Sequence, residues 1–288
     1  MNHNAFTKFD LTGRTAVVTA GATGMGYYMA RGLARSGAKV VIAQRTKDIV
    51  EASAKRLREE SKGGGEIIAE TVDLADRKSV HAFNQRVLAQ LGHVDIFLGN
   101  AGQDNFEPIE KLSGEMIDQT FQVNVVSIME MMRDFVPGMR KQRWGRIMFS
   151  SSTTSLAAAA QEGMASYTAS KGALNSLAHT AAVELGHDGI TVNCIVWGMY
   201  VTEMVQRHMT LLEETRGKEA VKAFFDSFSS MTARGRLGRP DEVEGLIQLL
   251  ASDAGGYITG TNLCADGGMA IMLRPNMPPA DPVYPSAF

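Results

Sequence analysis

Short β-branched apolar runs alternate along this chain with longer amphipathic stretches, and that alternation most constrains its fold. The strand patterns fall at 15–19, 39–43, 66–72, 94–98, 146–150, 191–196 and 261–265. Helical periodicity fills the intervals near 25–36, 47–61, 77–91, 113–140, 167–187 and 240–252. Strand and helix in strict alternation require a parallel sheet covered by helices on both faces. Right-handed crossovers then predict an α/β, Rossmann-type doubly wound sheet of about seven strands, with ligands at the strands' carboxyl ends. No repeat, long linker or low-complexity segment divides residues 1–288, which reads as a single domain. Two segments depart from the alternation. Residues 203–231 carry Met204, Met209, Leu211, Leu212, Phe224, Phe225 and Phe228, the pattern of a substrate lid or of a helical pair packed on the body. Residues 274–288 hold five of the eight prolines, as a disordered end or an arm laid on a neighbouring subunit.

Composition removes several classes of function. A net charge of −2 gives no pull toward nucleic acid or an anionic membrane. The first ten residues lack the basic flank and apolar core of a signal peptide, and no run is long enough to span a bilayer. Cys194 and Cys264 each lie in an apolar strand pattern, which predicts two buried free thiols in a reducing, cytoplasmic setting. No metal-ligand spacing occurs, so no metal is expected.

The first strand pattern runs directly into Thr19-Ala-Gly-Ala-Thr-Gly-Met-Gly26, and a helical pattern follows at once. Glycines there let the backbone turn sharply and approach a pyrophosphate, which the helix N-terminus stabilises. Thr19, Gly21, Thr23, Gly24, Met25 and Gly26 are therefore predicted to bind a dinucleotide. Gln44-Arg45-Thr46 ends the second strand with no acid in place. A guanidinium there suits the 2′-phosphate of NADP, whereas Asp48 serving a ribose hydroxyl would favour NAD. Asp73 and Leu74 end the third strand, where the adenine would lie. Asn100, Ala101 and Gly102 end the fourth with side chains small enough for a cofactor to approach the backbone.

Tyr167 and Lys171 stand four apart in a helical pattern and so share one face. An ammonium beside a phenol favours the phenolate, bringing a group that ionises near pH ~10 toward neutrality. Such a pair suits general acid/base work on an alcohol or a carbonyl.

Taken together, these residues resemble the short-chain dehydrogenase/reductase family across nearly the whole chain, in the group of 3-oxoacyl-carrier reductases, gluconate and sugar-alcohol dehydrogenases and broad carbonyl reductases. The glycine turn, Asp73, Asn100-Ala101-Gly102, Asn124, a serine run and Tyr167/Lys171 agree in order and spacing. So do Arg236-Leu-Gly-Arg-Pro240, Tyr257-Ile-Thr-Gly260 and Asp266-Gly-Gly268. The resemblance implies Tyr167 as general acid/base and Lys171 as the residue that binds the nicotinamide ribose and lowers the tyrosine pKa, aided by an oxidised nicotinamide. It implies Ser152 as hydrogen-bond partner of the substrate oxygen, and Asn124 as holder of a water in a proton relay through Lys171. The backbone of Gly198 and Tyr200 would meet the ring, and Thr202 its carboxamide. It also implies a homo-oligomer, commonly a tetramer, built on the helices near 113–140 and 167–187.

The sequence departs from the family in three places. Ala20 takes the first glycine position, which alanine tolerates if φ stays negative. Ser150, Ser151 and Ser152 compete for one role. Counting from Gly145-Arg146 selects Ser152, at a longer spacing to Tyr167 than is usual, with Ser151 the alternative. Trp197 replaces a proline before Gly198, adding an aromatic near the nicotinamide end. Elsewhere, His179 and His187 read as surface or packing residues. Arg207 and His208 read as a grip for an anionic substrate or as the wet face of a lid helix. The expected function is an NADPH-preferring oxidoreductase interconverting a ketone and a secondary alcohol. An NAD-linked alcohol or polyol dehydrogenase is the alternative, and a non-catalytic dinucleotide sensor a distant third. Met199, Tyr200, Met204, Met164 and Trp197 suggest an apolar pocket, hence an apolar or cyclic substrate.

Overall fold

Thr15–Thr19 is buried at every residue and forms β1, the strand on which the sheet is built. The computed structural model describes residues 5–157 and 163–272, so the proline-rich segment at 274–288 lies outside the described residues. Six further strands follow: β2 Lys39–Gln44, β3 Ile67–Thr71, β4 Ile96–Gly99, β5 Gly145–Ser152, β6 Ile190–Trp197 and β7 Asn262–Ala265. All pairings are parallel, in the order β3-β2-β1-β4-β5-β6-β7. This is the predicted doubly wound sheet. The winding reverses between β1 and β4, and such a reversal opens a crevice at the strands' carboxyl ends.

Helices cover both faces, as the alternation requires. One face carries α1 Gly24–Arg35, α2 Lys47–Glu60 and α9 Val243–Ala251, whose Leu33, Leu57 and Ile247 are buried in one core. The other carries α3 Arg77–Leu91, α5 Ser127–Gln142 and α6 Ala165–Leu185, packed through Phe83, Phe135 and Leu174 in a second core.

The helical pattern at 113–140 is not one helix. It forms α4 Gly114–Phe121, a π-helical turn at Gln122–Val126 and then α5. A π turn carries one extra residue and so re-aims side chains, which is why such turns collect at functional sites. The segment 203–231 forms a helical hairpin, α7 Glu203–Arg216 and α8 Lys218–Ser230, hinged at Gly217 with φ 80°. α8 has no buried residue, and its aromatic rings Phe224 and Phe228 meet at 4.6 Å, tilted by 44°.

Two sequence expectations fail here. Cys194 is buried but Cys264 is exposed, because β7 is the edge strand. Ala20 adopts φ 50° rather than a negative value. The turn needs a left-handed residue at that position, and alanine takes it at a cost of about 1 kcal/mol.

Candidate active site

The carboxyl ends of β1, β4, β5 and β6 are tied together by side chains. Thr19 Oγ1 accepts the backbone N–H of Asn100 at 2.9 Å and of Ala101 at 3.1 Å, bridging the reversal point. Asn100 Nδ2 donates back to the Thr19 carbonyl at 3.2 Å. The Asn100 side-chain oxygen accepts from Ser150 Oγ at 2.9 Å, and that hydroxyl accepts from Trp197 Nε1 at 3.0 Å. Trp197 is therefore a buried strut, edge-on to Tyr200, and not a wall of the pocket. Tyr200 is likewise buried, with its hydroxyl on the Ala265 carbonyl at 2.9 Å. Two of the residues expected to line an apolar pocket thus belong to the core.

On the β1 side the site is backbone. A Cβ on Gly26 would stand 2.2 Å from the Ala20 carbonyl oxygen and 2.6 Å from Asn100 Nδ2, so only glycine fits. Thr23 caps α1 without a side-chain bond, followed by Gly24 at φ 55° and the half-buried Met25, so the helix's first N–H groups face the crevice. Thr202 caps α7 by accepting from Val205 N, and its methyl lies 4.0 Å from the Cβ position of Gly24. Ser53 Oγ, on α2, donates to the Ala22 carbonyl at 2.7 Å and fixes the turn from outside.

Arg45 and Thr46 are exposed at the head of α2, and Arg45 has no ion-pair partner among the described residues. Asp73 spends one carboxylate oxygen on the N–H of Ala75, and Leu74 is half-buried beside it. Gly198 lies hard against Asp266, where a Cβ would meet Asp266 Cα at 2.7 Å. These features fit a dinucleotide: open helix N–H groups and small residues along the crevice, with an unpaired guanidinium beyond the second strand.

Tyr167 and Lys171 lie on the first turns of α6, facing the end of β5. Lys171 is buried, and its Nζ donates to the Ser150 carbonyl at 2.7 Å while standing 5.4 Å from the Tyr167 ring centre. Burial pushes its pKa down to about 8. The Tyr167 phenol is pushed up, not down: burial dominates, hydrogen bonding from Ser152 opposes it, and the Asp104 charge adds to the rise. The net direction is the reverse of the lowering expected from Lys171, because burial outweighs the effect of neighbouring groups. Ser151 turns away, its hydroxyl on Ser155 Oγ at 3.0 Å and on the Lys171 carbonyl at 3.2 Å. Of the two competing serines, Ser152 is the one beside the phenol. Asn124, in the π turn, donates to the Gln103 carbonyl and to Ser170 Oγ, both at 2.9 Å, and accepts the Gln103 N–H at 2.7 Å. Both of its N–H groups are spent on bracing the chain after Gly102.

The sequence reading missed the hub role of Ser150. Ser150 was visible only as one of three adjacent serines, and nothing in its spacing distinguishes a bridging hydroxyl. Arg207 and His208 are both exposed on α7.

The family model for short chain dehydrogenases matches residues 14–211. The chain is a short-chain dehydrogenase. As a member of that family it is an NAD(P)-dependent oxidoreductase of alcohol and carbonyl groups. An L-rhamnose 1-dehydrogenase (NADP(+)) of Thermoplasma acidophilum is 32% identical over 266 residues, which cover 92% of this chain and 99% of that protein. Gluconate 5-dehydrogenase of Gluconobacter oxydans is 29% identical, over 92% of this chain and 98% of the relative. Among solved structures, L-sorbose reductase of Gluconobacter frateurii, complexed with NADPH and L-sorbose, superposes with a TM-score of 0.85. It is 28% identical and covers 92% of this short-chain dehydrogenase and 100% of its own chain.

Proposed function

We propose that this protein is an NADPH-preferring reductase that converts a ketone to a secondary alcohol, with Tyr167 as the general acid. The observation that carries this reading is the placing of the half-buried Tyr167 phenol beside Ser152, which hydrogen-bonds it, and Lys171, whose Nζ stands 5.4 Å from its ring centre. A phenol that keeps its proton at neutral pH is ready to give it to a carbonyl oxygen as charge develops there. NADPH, when bound, supplies the hydride.

The remaining roles belong to this chain's own groups. Ser152 hydrogen-bonds the substrate oxygen and holds it toward the phenol. Lys171 binds the nicotinamide ribose, and its ammonium, anchored on the Ser150 carbonyl, offers positive charge as the phenolate forms. Asn124 keeps the Gly102–Gln103 backbone clear of the cofactor and serves the proton relay to Lys171. Gly21, Gly24 and Gly26 give the pyrophosphate its approach, and Arg45 pairs with the 2′-phosphate. The name of the Thermoplasma relative and the NADPH in the sorbose reductase structure support the same cofactor. The hairpin 203–230 acts as a lid, rooted by Val205 and by the Arg56–Glu203 ion pair at 3.3 Å between α2 and α7. A cytoplasmic homotetramer is the expected setting. Free thiols at Cys194 and Cys264 and exposed apolar residues Met129 on α5 and Val183 on α6 support it.

Two variants test the reading. Tyr167→Phe should lose at least about a hundredfold in kcat on ketones while its melting curve and NADPH affinity persist. Near-normal turnover would sink the mechanism. Arg45→Ala should weaken NADPH by about tenfold or more in direct titration and leave NADH alone; equal loss for both would point instead to an NAD-linked alcohol or polyol dehydrogenase.

A further inference from the structure

Trp197 ends β6 directly opposite Ser152, yet its indole reaches back to Ser150 on the neighbouring strand. Both partners are buried. An indole N–H can only donate, whereas a serine hydroxyl carries one proton and two lone pairs. With Trp197 Nε1 donating into its oxygen at 3.0 Å, the Ser150 hydroxyl gives its own proton to Asn100 Oδ1 at 2.9 Å. That bond assigns the two ends of the Asn100 amide, since an oxygen held on one side leaves the nitrogen for the other. Asn100 Nδ2 accordingly donates to the Thr19 carbonyl at 3.2 Å. Every proton along Trp197–Ser150–Asn100–Thr19 therefore points the same way, from the end of β6 to the end of β1.

The far end of this path is the glycine turn. Thr19 is the first residue of the turn, and the same Asn100 Nδ2 stands 2.6 Å from where a Cβ on Gly26, its last residue, would be. A reversed amide would set Oδ1 against the Thr19 carbonyl, two acceptors facing each other with no proton between them. Main-chain bonds do not forbid that reversal. The β5–β6 ladder and the bond from the Asn100 backbone N–H to Thr19 Oγ1 form whichever way the amide lies. Packing does not forbid it either, because a ring of the same shape without an N–H would fill the same space beside Tyr200. What the indole adds is one buried donor. Hydrogen bonds in a chain polarise one another, so a donor at one end tightens the links beyond it.

We infer that Trp197 is a positioning residue for the dinucleotide: its N–H orders the Ser150 hydroxyl and the Asn100 amide, and so holds the glycine turn ready for the pyrophosphate. The effect falls on binding and not on the chemical step, because a turn left unordered must be ordered when the cofactor arrives. Lys171 is off this path, since its ammonium rests on the Ser150 carbonyl and not on the hydroxyl. NADPH and NADH share the pyrophosphate, so both depend on Trp197 alike, unlike their dependence on Arg45. The inference rests on dinucleotide binding at the turn and is independent of which carbonyl is reduced.

The test replaces Trp197 with 3-benzothienylalanine, which keeps the fused ring and puts sulfur where the N–H was, and leaves Trp144 in place. Calorimetric titration of the cofactor-free protein should show the dissociation constants of NADPH and NADH both rising about fivefold or more, the worth of one neutral hydrogen bond. On a ketone that the wild type reduces, kcat at saturating NADPH should stay within about twofold. Ser150→Ala breaks the same path one step further on and should weaken both cofactors to a like extent. Adding the sulfur analogue to Ser150→Ala should then cost no further affinity. Trp197→Phe gives the same reading if the analogue does not fold. Unchanged cofactor affinity beside a lowered melting midpoint would make Trp197 a brace of the core and overturn the inference. So would a loss confined to NADPH, or losses that add in the double variant. Each of these leaves the reductase reading intact, whereas a wild type that binds neither cofactor overturns both.

Discussion

The two sides of the crevice are built from different materials. On the β1 side, the turn from Thr19 to Gly26 meets the crevice with backbone, its side chains being small or absent except at Met25. On the β4–β6 side, side chains do the positioning: Asn100, Ser150, Trp197, Asn124 and Lys171 are bonded to one another or to nearby carbonyls. The difference follows from what each side must hold. A pyrophosphate is recognised by N–H groups that any sequence carries, provided the chain can come close. A carbonyl being protonated needs one hydroxyl and one ammonium at fixed positions, so their supports must be specific and buried. Substitutions on the second side should therefore strain a polar network, whereas those on the first should act through backbone conformation.

Lys171 should give the largest effect. Its burial lowers the pKa from 10.5 to about 8, so folding at neutral pH carries an ammonium at a cost of about 3 kcal/mol. The folded state releases this proton near pH 8 while the unfolded chain keeps it to higher pH. In that window the unfolded state binds more protons, and stability rises with pH. Denaturant melts of the cofactor-free protein should thus show wild type gaining on Lys171→Met by about 3 kcal/mol between neutral pH and the unfolded lysine pKa. A pH-independent difference would mean that the ammonium is solvated and the side chain network less dry than its hydrogen bonds imply. Activity should be lost in the variant at every pH.

Ser150→Ala comes next. It leaves Trp197 Nε1 without its acceptor and removes a donor to Asn100, for a loss of about 2 kcal/mol in stability. Trp197→Phe removes the stranded donor. The double variant should therefore be less destabilised than the two single losses added together, by about 1 kcal/mol. Strict additivity in the cycle would show that the two groups act separately.

Much of this layout was legible from the residues. Strands and helices follow from period-two and period-3.6 patterns that burial enforces, and the glycine turn and the Tyr167/Lys171 pair were readable because their chemistry is local. What escaped depends on tertiary approach. The break of 113–140 into α4, a π turn and α5 leaves no mark in periodicity, since apolar residues continue through it. The Ser150–Trp197 bond joins neighbouring strands two residues out of register, with Ser152 directly opposite Trp197. The pinning of residues 103–106 also left no mark, because the groups that hold them, Asn124, Met116, Thr120 and the close-packed Gly163, lie on other segments. The direction of the Tyr167 shift was misread for a related reason. Helical spacing brings Lys171 to the right face but does not say how far the tertiary fold will desolvate the phenol.

The smallest predicted effect lies on the backbone side, at Ala20. Its φ of 50° is one that glycine reaches freely and alanine does not. Ala20→Gly should relieve about 1 kcal/mol of native-state strain, but it also loosens the unfolded chain by an opposing few tenths to 1 kcal/mol. The net change in a denaturant melt should therefore fall between zero and about 1 kcal/mol of added stability. The Ala20 carbonyl is the atom that a side chain at Gly26 would strike, so its position sets the start of α1. If the left-handed turn is what exposes the helix N–H groups, NADPH affinity should hold or improve slightly in Ala20→Gly. A measurable loss of stability in that variant would mean that residue 20 sits at negative φ, and that the turn meets the pyrophosphate in some other shape.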